Sequence, residues 1–375
     1  MKTDKRFYHL DALRAIIMSF GVVLHAGMFI SVPTDTLVSI FSSTFRMKLF
    51  FIISGFFSAL VFIKRGDYLY YKDRFFKILI PCVVSVVVIC MYSNYLMVEM
   101  DGYDKGFSYF INNYFSLINS YDEHINWHLH IWFLLVLTLY CFMFYMLFKA
   151  ANFFASLKCI ELVNQLSDKF YGLAFCFFLS ALCVFFRVLH FFVFQEVLVG
   201  GGFNYMVQAF LYYLPFYVAG IYLFIRQDCF LKLHSYYVSV LFLSAITFSL
   251  YLYYRVDLIN ILSFKFYEVG RHFISSFFGL YFSIFCLSLT YKYLNKKIHN
   301  VKFLVDCSYT VYLFHFPVLI SLVFAFPSFF SEGYMAYFLL IALTYLFCCL
   351  IDYFVVKKVS LFNFAFNGSF SSRKR

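Results

Sequence analysis

Charge is what this chain has least of. Only 13% of its 375 residues are Asp, Glu, Lys or Arg, against 63% hydrophobic, a balance outside the range of soluble globular domains. Room for a separate soluble domain is missing too, because apolar runs fill the chain. A spanning helix needs about 20 apolar residues, and ten such stretches can be drawn, over 10–30, 45–63, 78–98, 131–151, 170–193, 205–225, 236–254, 272–291, 304–326 and 333–356. The expected fold is an all-α integral membrane bundle of about ten transmembrane helices, one domain over residues 1–375. MKTDKR before an apolar run could pass for a signal peptide. That run is too long, contains Arg14 and lacks a small-x-small cleavage site, so it reads as a retained first helix.

Other absences narrow the function. On this helix map none of the eleven cysteines falls in an outer loop, so no disulfide is expected. No CxxC or Cys/His pair has metal-ligand spacing, and no metal is expected. Neither an internal repeat nor an inverted pair of Gly/Pro-broken segments speaks for a secondary transporter. GGGFN, from Gly200, follows no strand, which excludes a phosphate loop and leaves an outer turn before the sixth helix. The net charge of +11 would suggest nucleic acid in a soluble chain, but here basic residues are counted by side of the membrane. With the N-terminus inside, the cytosolic segments hold 22 of the 30 Lys and Arg residues. Both termini are therefore expected in the cytosol, and no nucleic-acid partner is needed. The longest outer segment, Glu99 to His130, is amphipathic around Phe107 to Ile118 and is expected to lie on the membrane face or cover a cavity.

What the apolar runs do contain is therefore informative. Arg14 and His25 sit in the first of them, HLDALRAIIMSFGVVLHAG from His9. An arginine at mid-helix costs about 2.5–3.5 kcal/mol on insertion scales, so intramembrane ionisable groups mark functional sites. Eleven residues of helix return both side chains to nearly one face, about 16 Å apart. On the expected topology Arg14 lies near the inner mouth and His25 in the outer half. Such a pair suits a long donor with phosphates at the cytosolic end and a reactive group on a thin arm, the shape of coenzyme A. His25 can serve a hydroxyl as general base.

Further polar residues fall near the same depths. YYKDRFFKILIP, from Tyr70 to Pro81, sets Arg74 and Lys77 three apart on one helical face, suited to phosphates. TFRMKLFFIISGFFSAL, from Thr44, puts Arg46 at the outer edge of helix two, with the small pair Ser54 and Gly55 deeper. HLHIWFLLVL brings His130 and Trp132 to the outer start of helix four. SYTVYLFHFPV, Ser308 to Val318, carries Tyr312 and His315 on adjacent turns before Pro317, whose kink turns polar backbone towards a cavity. Arg187 and His190 end helix five, while Glu268, Arg271 and His272 precede helix eight. Each group also has a plainer reading, as an interface anchor or positive-inside charge.

With these runs in hand the sequence resembles the membrane acyltransferase-3 family over nearly its full length. Four ordered blocks carry the likeness: FRMKLFFIISGFFS, HIWFLLVL, GGFNYMVQAFLYYLPF and SYTVYLFHFPV. The family's R-x10-H motif falls on Arg14 and His25, and its paired basic motif on Arg74 and Lys77, with Lys where Arg is usual. The resemblance implies acyl transfer from cytosolic acyl-CoA to an extracytoplasmic sugar hydroxyl, in a multi-pass protein of the bacterial inner membrane. Its subgroup implies succinyl-CoA as co-substrate, periplasmic glucan as acceptor, and glucan synthesis and export proteins as partners alongside the lipid bilayer. No tightly bound cofactor is implied. Arg14, Arg74 and Lys77 would hold the donor's phosphates, Arg46 a succinyl carboxylate, and His25 would be the base. His130, Trp132, Arg187, Glu268, Tyr312 and His315 would support the acceptor side. Rival readings are an O-acetyltransferase of surface polysaccharide, a transporter or flippase using His25 as a proton relay, and a structural membrane subunit.

Overall fold

The computed structural model describes residues 7–369 apart from 31, 33, 34, 103, 104, 115, 117–125, 194–200, 235, 236, 258–263, 297 and 298. MKTDKR, Gly200 and the middle of the Glu99–His130 segment lie outside the described residues. The chain runs through α1 (Tyr8–Ala26), α2 (Asp35–Arg65), α3 (Asp67–Met100), α4 (Gly106–Asn112), α5 (Trp132–Phe142), α6 (Phe144–Ser156) and α7 (Lys158–Asn164). It continues through α8 (Asp168–Val193), α9 (Gly201–Ile225), α10 (Gln227–Lys232), α11 (Tyr237–Asp257), α12 (Phe264–Leu294), α13 (His299–Ala325), α14 (Tyr334–Leu350) and α15 (Ser360–Asn367).

Each of the ten predicted stretches meets a helix, but not all ten make a straight span. Among the described residues eight helices are long and apolar enough to cross a membrane, or nine if one bent pair counts as a span. The pair is the predicted fourth helix, which bends by 73° between Phe142 and Phe144. The predicted seventh, α11, keeps only the shorter apolar part Val240–Arg255. The architecture is that of a multi-pass membrane protein.

Burial separates central helices from peripheral ones. α2 and α13 each bury 61% of their apolar window, whereas α8 buries 22% and turns Phe177, Phe178, Phe185 and Phe192 outwards. Lipid tails are as apolar as these rings, so an outward Phe loses nothing there, and helix association rests on close packing. Gly55 of α2 and Gly220 of α9 show how close: a Cβ on Gly55 would overlap the carbonyl oxygen of Tyr217, and one on Gly220 that of Ile52. Phe51, Phe56, Phe216 and Tyr217 fill the space beside this seam.

Two local features place cations. Gly66, at φ +77°, makes the one-residue turn from α2 into α3. α3 then widens into π-helical turns over Phe75–Leu79 and Ser85–Cys90, flanking Pro81. Wide turns of this kind often occur at functional sites, and the first, which begins just after Arg74, carries Lys77. Gly368, at φ +63°, ends α15 where a Cβ would overlap the carbonyl of Phe76, which brings Asn367 to the same place.

Candidate active site

Both polar residues of α1 open into cavities, and the cavities are neighbours. Arg14 lines one of about 310 Å³, with Arg74, Lys77, Ser308, Tyr309 and Asn367 at its polar end and no Asp or Glu in its wall. His25 lines another of about 40 Å³, with Arg46, His130, Trp132, Tyr312 and His315. Met18, Phe50, Phe133 and Tyr312 belong to both walls, so a waist of four side chains separates the cationic end from the imidazole end. His25 also lines a third cavity of about 430 Å³, with Ser39, Ser43, Arg255 and Tyr337. One imidazole thus lines both the small cavity next to the Arg14 cavity and a separate chamber.

Three helices bring three imidazoles together. Ring centroids lie 5.2 Å apart for His25 and His315, 4.9 Å for His130 and His315, and 6.4 Å for His25 and His130. Their hydrogen bonds assign the tautomers. His315 Nδ1 lies 3.0 Å from the Val311 carbonyl oxygen and 2.8 Å from that of Tyr312, so it carries the proton. Nε2 of His315 keeps the lone pair, buried and without a partner. His130 Nε2 donates to the Leu313 carbonyl at 3.1 Å, leaving Nδ1 unpartnered. His25 is half-buried, with Nδ1 3.3 Å from Met28 Sδ, a weak acceptor that holds the ring loosely. Tyr312 donates to the His130 carbonyl at 3.0 Å and ties α13 to the start of α5.

Arg46 is the cation of this group. Its Nε is buried without a partner, and among the described residues no Asp or Glu lines the cavity. Gly21, one turn before His25, gives the guanidinium its space, since a Cβ there would sit 3.1 Å from Arg46 Nη1. At the other end Arg74 lies over the Tyr70 ring, 5.1 Å from its centroid. Lys77 is exposed and pairs with Asp73 at 3.1 Å, and Arg65 binds the same carboxylate. Arg74 and Lys77 do share the cavity wall, although Lys77 stands at its rim already partly neutralised.

The predicted residues fall into two groups. Arg14, Arg74, Lys77, His25, Arg46, His130, Trp132, Tyr312 and His315 line the two joined cavities. Arg187 and Glu268 line neither; Glu268 pairs with Arg271 at 2.6 Å and His272 at 3.3 Å, in a separate cluster. Arg46 is not at the outer edge of helix two, because α2 starts at Asp35, about three turns earlier by helix geometry. From Gly201 on, GGGFN is helical, since α9 starts there, and Gly202 lets Trp127 approach, since a Cβ there would fall 2.7 Å from Trp127 Nε1. Gly21, Tyr309 and Asn367 were not predicted. Gly21 is the one with a readable signal, four residues from His25 on the same helical face.

Two neighbouring cavities inside an apolar bundle, one lined by cations and the other by imidazoles, mark a multi-pass membrane protein with ionisable groups gathered among its helices. The chain belongs to the acyltransferase family: its acyltransferase domain matches residues 7–353. Among curated proteins the chain is similar to the glucans biosynthesis proteins C of Escherichia coli O1:K1 / APEC and Shigella dysenteriae serotype 1 (strain Sd197). It is 26% identical to each over 84% of this chain and 82% of the relative. No solved structure matches it.

Proposed function

We propose that the protein transfers an acyl group, succinyl in the first reading, from cytosolic acyl-CoA to a hydroxyl of a periplasmic glucan, with His25 as general base. The observation that carries this is the position of His25 in two walls, that of the passage from the Arg14 end and that of the 430 Å³ chamber. A donor arm entering past Arg14 and Arg74 meets an acceptor hydroxyl only where one base reaches both. The hydroxyl gives its proton to His25, its oxygen attacks the thioester carbonyl, the C–S bond breaks, and the departing thiolate takes the proton back. The buried Nε2 of His315 and the cationic Arg46 add groups that can hold the proton or the developing oxyanion. The inner membrane, the glucan acceptor and glucan synthesis or export partners belong to the same proposal, supported by the named relatives.

Sealed proteoliposomes test it, with acyl-CoA outside at the donor face and β-glucan enclosed, read by free CoA and by the mass of the recovered glucan. Succinylated glucan supports the reading; glucan moved or unchanged without thioester cleavage returns the question to transport. A specific observation favours a second reading, O-acetyl transfer. The cavity beside His25 is about 40 Å³, room for about two or three waters, which suits a two-carbon acyl group better than a four-carbon one.

Arg46→Gln separates the two. Should Arg46 bind a succinyl carboxylate, kcat/KM for succinyl-CoA falls at least about tenfold more than for acetyl-CoA, the loss of one charge-assisted pair. An equal fall for both donors assigns Arg46 to the common chemistry. At the other end Arg74→Gln is expected to raise KM for acyl-CoA about tenfold with little change in kcat. Lys77→Gln should raise it less, because Asp73 already holds that ammonium in solvent. Larger loss at Lys77 than at Arg74 in initial-rate kinetics would reverse the assignment.

A further inference from the structure

A fourth cavity, of about 190 Å³, lies beside the chamber at His25 and shares Ser43 with it. Lys48 is at its base. The side chain is 2% exposed, and among the described residues no Asp or Glu lines the cavity and its ammonium donates to the carbonyl oxygen of Thr44 alone. An ammonium has three donors, so two stay available, with the Tyr212 ring 5.6 Å away on one side. Arg271 lines the same cavity but is held by Glu268. Nearby Arg187 has a buried Nη1 without a partner. A buried cation without a carboxylate is costly, and ionisable groups inside a membrane bundle mark substrate or ion pathways.

We infer that this cavity binds an anionic group on the saccharide acceptor, a carboxylate or a phosphodiester, while the hydroxyl to be acylated sits at His25. The inference rests on the proposed function for the nature of the acceptor. The lining favours sugar over lipid. Ala209 is the one lining residue without a polar side chain, and Tyr205, Tyr212, Tyr213 and Gln208 offer rings and hydrogen-bond donors to a hydroxylated ring. A lipid headgroup would need a neighbouring apolar groove for its tails, which this lining does not provide. Ser43 in both walls lets one oligosaccharide occupy the chamber and the Lys48 cavity together.

Binding is measured apart from catalysis, because Trp132 packs on two tyrosines of the cavity, its ring 5.5 Å from that of Tyr213 and 5.6 Å from that of Tyr205. Purified full-length protein in nanodiscs of neutral lipid is titrated with a neutral β-glucan oligosaccharide and with its carboxylated form of equal length, read by tryptophan fluorescence. Wild type is expected to bind the acidic form at least tenfold tighter, and Lys48→Met to reduce that ratio to near one. Thermal unfolding of Lys48→Met verifies the fold, and Arg271→Gln, whose charge Glu268 already meets, should lower the ratio less. Equal binding of both sugars by wild type, or an unchanged ratio in Lys48→Met, overturns the assignment. So does loss of the preference when phosphatidylglycerol is added to the nanodiscs, which makes the cavity a headgroup site. Charge-selective binding without acyl transfer to any acceptor would leave the cavity assigned and remove the transfer reading instead; transfer without charge selection does the reverse.

Discussion

Replacing His25 by alanine is expected to cut acyl transfer by about 10²- to 10⁴-fold, the usual contribution of a positioned general base. Affinity for the donor should hardly change, because Arg14 and Arg74 line a different cavity beyond the waist of Met18, Phe50, Phe133 and Tyr312. The fold should survive, since His25 is half-buried and its hydrogen bond among the described residues is to a thioether. The measurement is single-turnover acyl transfer with wild type and variant at matched acyl-CoA occupancy, alongside thermal unfolding in detergent. A variant that retains more than about a tenth of wild-type rate would move the base to another group. The strongest alternative is His315, whose Nδ1 is fixed by two carbonyls and whose Nε2 is buried and unpartnered. A loss of donor affinity instead would mean that His25 supports the passage and does not act on the acceptor.

The largest structural effect is expected at Gly220. Helices α2 and α9 meet backbone to backbone there, and a Cβ on Gly220 would overlap the Ile52 carbonyl oxygen, as one on Gly55 would overlap that of Tyr217. Backbone atoms cannot turn aside as a flexible side chain can. Gly220→Val therefore has to push the two helices apart, a change of the overpacking kind that costs about 1–3 kcal/mol or more. The separation would loosen Phe51 and Phe216, which sit beside the seam, and shift Arg46 and Lys48 on the same α2. A markedly lower unfolding temperature in detergent, together with reduced activity, is the expected result. Unchanged melting of Gly220→Val would show that α2 and α9 are not held at this spacing, and the cavity walls built on α2 would need redrawing.

The local readings and the tertiary ones failed and succeeded for different reasons. Arg14 and His25 were legible because helical periodicity puts residues eleven apart on one face whatever surrounds them. Their opening into successive cavities agrees with that arithmetic. The ten apolar stretches were legible from hydropathy alone, since length and composition decide what can sit in hydrocarbon. The 73° bend at Met143 was not, because no proline or glycine marks it. The start of α2 was misplaced for a related reason: Asp35 to Thr44 is only moderately apolar, yet it is helical, and this puts Arg46 about three turns inside the helix.

By itself, then, the sequence determined that the chain is an apolar helical bundle, that its first helix carries a cation and an imidazole at set depths, and that small residues wait for close neighbours. Packing decided which polar groups meet. His130 and His315 are 185 residues apart in the chain, and their rings lie 4.9 Å apart because the turn before α5 is bonded to α13, His130 to the Leu313 carbonyl and Tyr312 to the His130 carbonyl. Glu268 and Arg187 line neither the Arg14 cavity nor the His25 cavity for the same reason; Glu268 instead pairs with Arg271 and His272, which line the Lys48 cavity. Periodicity constrains a residue only against its own helix, whereas a site drawn from four helices depends on how their surfaces fit, and that is fixed by contacts such as Gly55 with Tyr217 and Gly220 with Ile52.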